Sequence, residues 1–148
     1  MRFFTRKLIR PEDLNANDTL FGGSLLRWID EEAGIYAMSK LRSKRVVTKY
    51  MSEINFVASA KQGDVIEIGL QFNEIGRTSI TFGCEVRQMF SRKTIITIDK
   101  IVFVLVDENG RPKPHGVSRE DILNSAEFQL PASSPSTFNQ QNPFTAKS

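Results

Sequence analysis

A chain of 148 residues with 40% hydrophobic and 25% charged residues fits one domain that closes its own core, which excludes collagen-like, disulfide-stapled and wholly disordered architectures. A net charge of +3 and a pI near 9.2 are mild, and no helix-turn-helix, zinc or RNP-type motif accompanies them, which argues against a dedicated nucleic-acid binder. The longest aliphatic or aromatic run, Ile101 to Val106, is far too short to span a membrane. Met1 to Arg10 lacks the apolar stretch of a signal peptide, and one Cys forbids an intrachain disulfide, so a reducing cytoplasm is expected.

In chain order, Arg2 to Ile9 reads as a short edge strand, and Arg10-Pro11-Glu12-Asp13 turns into a polar loop, Asn15 to Thr19. Phe21-Gly22-Gly23 reads as the entry to the only long helix, Ser24 to Leu41. The period then falls to two. Val46 to Val57, Asp64 to Asn73, Ser79 to Arg87 and Thr94 to Val106 read as strands, five in all with the first, for a sheet of five to six strands. Their alternation predicts an antiparallel sheet with one dry face, across which the helix lies. Glu74 to Arg77 is the hairpin turn, with Gly76 expected at positive φ. Ser118 to Ala126 reads as a short helix with Ser118 as N-cap and Asp121 at the capping-box position. The domain is assigned to residues 1–130, and the Ser-, Pro-, Asn- and Gln-rich stretch from Pro131 onward is expected to be disordered.

Asp30 is the anomaly. At about 100° per residue, Leu26, Ala33, Gly34, Ala37 and Leu41 fall within about 60° of it, on what should be the buried face. An ionised carboxylate there is costly unless something pairs with it or uses it. It reads either as a reactive group or as a structural carboxylate bonded to backbone.

The run from Arg10 to Gly34, with Asn15-Ala16-Asn17, Phe21-Gly22-Gly23 and Asp30 at fixed spacing, resembles the signature of hotdog-fold acyl-CoA thioesterases. YciA-type bacterial enzymes and the domains of mammalian brain acyl-CoA hydrolase are the nearest group. The resemblance continues through Arg45-Val46-Val47-Thr48, Gly63-Asp64 and Gly76-Arg77-Thr78-Ser79 and covers roughly residues 6–115. Relatives often carry Gly-Asp after Asn-Ala-Asn, where this chain has Asp18-Thr19.

The resemblance implies an α+β hotdog fold and hydrolysis of acyl-CoA to free acid and coenzyme A, with a place in fatty acid metabolism and no metal or cofactor. It implies a homodimer, assembled further as a hexamer (a trimer of dimers) or a tetramer, with each active site between subunits. Asp30 from one chain would act as general base or as nucleophile. Asn15 and the backbone N–H near Gly23 from the other chain would orient the thioester and hold its oxyanion at the positive end of the helix. Gly76, Arg77, Thr78 and Ser79, with Gly22 and Thr48, would border the path of coenzyme A. Each residue also has a plainer reading: Gly22-Gly23 and Asn15 as loop formers, and Gly76 to Ser79 as an ordinary hairpin.

The remaining groups offer little chemistry. Cys84 falls on the apolar side of its strand and reads as core, His115 is the only His, and no Gly-x-Ser-x-Gly elbow is present. The lone His also argues against the dehydratase branch of the fold. Trp28, nearly opposite Asp30, is expected in an oligomer interface or under the C-terminal segment. Glu32 is expected in solvent or at an interface, and Glu31 is a candidate second partner for the site. The basic stretch Arg42 to Lys49 reads as a solvated turn, as a seat for an anionic ligand such as nucleotide phosphate, or as a nucleic-acid contact. A non-catalytic acyl-CoA-binding module is the functional alternative.

Overall fold

Strands that alternate apolar and polar residues need a partner for one face, and the 20-residue helix supplies it. The computed structural model describes residues 1–125. Its elements are β1 (Arg2–Leu8), a 3-10 turn at Pro11–Asp13, α1 (Gly22–Leu41), β2 (Val46–Met51), β3 (Ile54–Phe56), β4 (Val65–Ile75), β5 (Ser79–Gln88), β6 (Thr94–Leu105) and α2 (Arg119–Asn124). The sheet is six-stranded, in the order β1-β4-β5-β6-β2 with β3 also on β6, and every pairing is antiparallel. β1 is an edge strand, as its sequence suggests.

The dry face is built in rows that the register fixes. Ile68, Val86 and Ile96 lie side by side, as do Leu70, Cys84 and Ile98, then Phe72, Phe82 and Ile101. Against these rows α1 buries Leu25, Ile29, Ala33, Tyr36, Ala37, Lys40 and Leu41. Each fully buried Leu or Ile contributes about 1.5–3 kcal/mol. Tyr36 meets Phe82 edge-on at 4.9 Å between ring centres. Lys40 stays buried because its Nζ donates to Ser125 Oγ at 2.8 Å and lies 5.2 Å from the Tyr36 ring centre.

The opposite face is polar and internally paired. Glu67 accepts from Arg87 Nε at 2.9 Å and from Arg6 Nε at 3.2 Å, a ladder across β5, β4 and β1, and the Arg87 guanidinium stacks 3.6 Å from the Phe3 ring centre. The Arg87 hydrogen bond is the main reason that the Glu67 carboxyl sits below its ordinary value.

Two boundaries differ from the sequence expectation. The expected single strand Val46 to Val57 is divided at Ser52-Glu53, although β2 and β3 keep one register along β6, from Met51–Ile101 to Ile54–Ile98. At the break Ser52 N–H still donates to Lys100 O at 2.8 Å, while the Lys100 N–H goes to the Ser52 hydroxyl at 2.9 Å instead of to backbone. The helix begins at Gly22 rather than Ser24, so both glycines belong to its first turn.

The C-terminal reading holds: Ser118 caps α2 in a capping box with Asp121. The Ser118 backbone N–H, followed by its hydroxyl, keeps the Asp121 carboxyl below its usual range. The stretch from Pro131 onward lies outside the described residues, as do the last residues of the domain boundary drawn at 130.

Candidate active site

Asp30 is not in the middle of the buried face. The side chains that α1 buries centre about 75° from it, so Asp30 lies half-buried on the flank that faces β2. The wheel misplaced the face because Leu26 and Gly34 are only partly covered, whereas Leu25, Ile29 and Tyr36 carry the packing. The ionised group is tolerated there because Thr48 Oγ1, from β2, donates to Asp30 Oδ1 at 2.6 Å. Ile35 and Met38 of α1 are exposed, and Val47 and Tyr50 are exposed on the other face of β2, in register with Val104 and Val102.

Asn15 and Gly22 stand together at a second place, the mouth of a cleft of about 450 Å³ between the tip of α1 and the segment after β3. Asn15 Oδ1 accepts the N–H of Asn17 at 2.9 Å and of Thr19 at 3.2 Å, and its Nδ2 donates to Thr19 Oγ1 at 2.9 Å. The side chain therefore shapes the loop, and one Nδ2 hydrogen remains to face a ligand. Asp18 takes φ +58°, in the left-handed region, so the loop makes its turn at a steric cost.

Phe21 gives α1 no side-chain cap, and the N–H groups of the first turn have no partner within the helix. A β-carbon on Gly23 would fall 2.6 Å from the Phe21 ring, and one on Gly22 would fall 3.4 Å from Phe56. Two aromatic rings thus flank a helix tip that only glycine leaves open.

Gly23 and Asp30 are separated by seven residues of helix, about 10 Å along the axis. One protomer therefore holds Asp30 with Thr48 in one place and Asn15 with Gly22 and Gly23 in another. Asp30 is not part of the cleft lining.

The Gly76 to Ser79 turn joins β4 and β5 and is fastened from both sides, with Thr78 O accepting from Leu105 N–H and Arg77 O from His115 N–H. Gly76 does not have positive φ; a β-carbon there would lie 2.5 Å from Ser79 Oγ, and that hydroxyl would have to turn aside. Arg77 is exposed. His115 Nδ1 accepts the Val117 N–H at 3.0 Å, which leaves Nε2 to donate to Ser79 O at 3.2 Å. The only His is thus a structural clip on this turn.

Other side chains fall as follows. Cys84 is buried in β5, and burial pushes its thiol up to about 12. Glu32 is half-buried and accepts from Thr5 Oγ1 at 2.6 Å, while Glu31 is exposed. Trp28 packs beside β1 and the 3-10 turn, with Lys7 5.9 Å above its ring. Most of the Arg42 to Lys49 stretch is exposed, with Arg45 3.7 Å from Glu108. Among the described residues no three His, Cys, Asp or Glu side chains gather as a metal site, and no helix is long and apolar enough to cross a membrane.

Sequence reasoning missed two things. Thr48 was assigned to the coenzyme path, but its hydroxyl is committed to Asp30; its pairing with the helix carries no local sequence signal. The cleft walls Phe56, Ala60 and Ile95 were not singled out, although the small residues Ala58-Ser59-Ala60 after a strand mark a place where backbone leaves room.

One long helix wrapped by an antiparallel sheet, with a glycine-lined helix tip and a carboxylate farther along, defines a hotdog protein. Within that class, the chain belongs to the Thioesterase superfamily, whose profile matches residues 17–90. An uncharacterized acyl-CoA thioester hydrolase of Haemophilus influenzae is 32% identical over 114 residues, 73% of each chain. The acyl-CoA thioester hydrolase YciA of Salmonella typhimurium is 30% identical over 115 residues, 74% of this chain and 86% of that one. The hexameric thioesterase of Yersinia pestis superposes with a TM-score of 0.70 at 30% identity, covering 76% of this chain and 93% of its own. An acyl-CoA hydrolase from Staphylococcus aureus, solved with butyryl coenzyme A and coenzyme A, gives 0.66 at 28% identity over 74% of this chain and 66% of that one.

Proposed function

We propose that the protein hydrolyses acyl-CoA thioesters at a site built by two protomers. The observation that carries this reading is the Thr48–Asp30 hydrogen bond on the open flank of α1, about 10 Å from the helix tip that the same chain offers for an oxyanion. A second copy seated along the open flank of α1 and β2 brings one chain's Asp30 to the other's Gly23. The hexameric relatives support a trimer of such dimers.

With Oδ1 held by Thr48, Oδ2 faces the substrate. As general base it takes a proton from water while the water oxygen attacks the thioester carbon. The Gly23 N–H, at the positive end of α1, receives the carbonyl oxygen as it gains charge, and Asn15 Nδ2 orients it. Collapse of the tetrahedral adduct breaks the C–S bond, and the departing thiolate takes a proton from Asp30. As nucleophile, Asp30 instead forms a mixed anhydride, expels the thiolate and is freed by water. Arg77 and the turn around it are placed to meet the phosphates of coenzyme A, Gly22 and Thr48 line the approach, and no step draws on a metal or cofactor. A cytoplasmic location fits a substrate built on coenzyme A, and a chain with one Cys asks for no oxidising compartment.

The test is complementation. Asp30→Ala and Asn15→Ala proteins, each inactive, are unfolded together and refolded as mixed dimers. A site shared between chains restores about a quarter of wild-type coenzyme A release, because half the dimers are mixed and each has one intact site. No recovery from folded mixed dimers refutes the shared site.

A further inference from the structure

We infer that His115 is a positioning residue for coenzyme A: its neutral ring holds the Gly76 to Ser79 turn in place, and a proton on the ring releases it. The inference rests on the reading above in which that turn meets the coenzyme's phosphates. The turn is tied to His115 at two points. The His115 backbone N–H donates to Arg77 O at 3.2 Å, and its Nε2–H donates to Ser79 O at 3.2 Å. From the other side the Val117 N–H donates to Nδ1 at 3.0 Å, and Val117 packs on the core just before α2. The ring therefore bridges the turn and the segment that enters α2.

Both ring partners are backbone groups that cannot change role. Ser79 O only accepts and the Val117 N–H only donates, so a single tautomer satisfies them. Imidazole takes up its proton in the range between about pH 8 and pH 5, and here the proton arrives at Nδ1, where donor then faces donor. The bridge opens at Val117, and binding must afterwards order Arg77 as well. Charged side chains reach the same space from four directions: Lys40 and Arg42 from the end of α1, Arg45 from just before β2, Asp107, Glu108 and Lys113 from the loop after β6, and Asp121 from α2. The carboxylates among them are engaged: Asp107 accepts the N–H of Asn109 and of Arg111, Glu108 lies by Arg45, and Asp121 accepts the Ser118 N–H. The effect of the proton is therefore decided at Nδ1.

Calorimetric binding of coenzyme A at about pH 8 and about pH 5.5 is compared for wild type, His115→Gln and His115→Phe, with circular dichroism to confirm folding. Gln still offers an N–H to Ser79 O and does not titrate, whereas Phe offers neither bond. On acidification wild type loses about tenfold more affinity than His115→Gln, a ratio in which titration of the ligand's own phosphates cancels. At about pH 8 His115→Phe binds about tenfold more weakly than wild type and hydrolyses acyl-CoA with KM raised by that factor and kcat nearly unchanged. An acid loss in wild type equal to or smaller than that of folded His115→Gln overturns the inference, whether or not His115→Phe folds; the smaller loss is what attraction between a phosphate and the imidazolium gives. The expected acid loss without any hydrolysis by wild type overturns the hydrolase reading alone. No binding of coenzyme A by wild type overturns both.

Discussion

Asp30→Asn separates chemistry from architecture in a single substitution. The amide oxygen still accepts from Thr48 Oγ1, so the 2.6 Å contact has a counterpart and the shape is kept. What is lost is one charge in an already partly solvated hydrogen bond, a stability change of about 1 kcal/mol or less. The catalytic loss is far larger. A positioned general base contributes about 10²–10⁴-fold, which at 1.36 kcal/mol per decade is about 2.7–5.4 kcal/mol of barrier. Coenzyme A release, followed by a colorimetric thiol reagent, should fall by that factor while the melting temperature moves by only a few degrees. Calorimetric binding of acyl-CoA should be retained. A folded variant that keeps more than about a tenth of wild-type turnover would refute the role given to Asp30.

Thr48→Val removes the hydroxyl at constant shape; kcat should drop about tenfold with KM nearly unchanged, and Thr48→Ser should restore it, as steady-state kinetics will show. Asp18→Gly relieves the left-handed backbone at φ +58° and should stabilise the protein by about 0.5–1 kcal/mol in urea titrations. Glu67→Gln should lower the melting temperature at neutral pH. Because the Glu67 carboxyl lies below its ordinary 4.5 in the folded protein, its contribution is present above that value and lost as pH falls through the folded-state one. The deficit of the variant should therefore shrink toward zero in acid, measured by melts from pH 7 downward.

How much of this was legible in the sequence depended on whether a feature was local. Strand alternation, the capping box at Ser118 and the glycine pair at the helix entry each announce themselves within a few residues, and all were found. The division between β2 and β3 was hidden because it turns on the Ser52 hydroxyl taking the N–H of Lys100, more than forty positions away in the chain. The mistaken face of α1 has a similar origin: a wheel ranks side chains by polarity, but the sheet chose Leu25, Ile29 and Tyr36. Asp30 was singled out for the wrong local reason, an expected burial that the fold does not impose. Its hydrogen bond to Thr48, created by β2 running back past the helix, is tertiary and could not be read from spacing.

A protein proposed to liberate a thiol at every turnover carries a sulfur of its own, and Cys84 keeps that sulfur out of reach. Enclosed within β5 and shifted to about 12, it is almost wholly uncharged at neutral pH and is screened from collision. Acyl groups thus find no thiol acceptor on the polypeptide, and oxidised coenzyme A finds no thiol to cap. Turnover then leaves that sulfur unmarked, however much product accumulates.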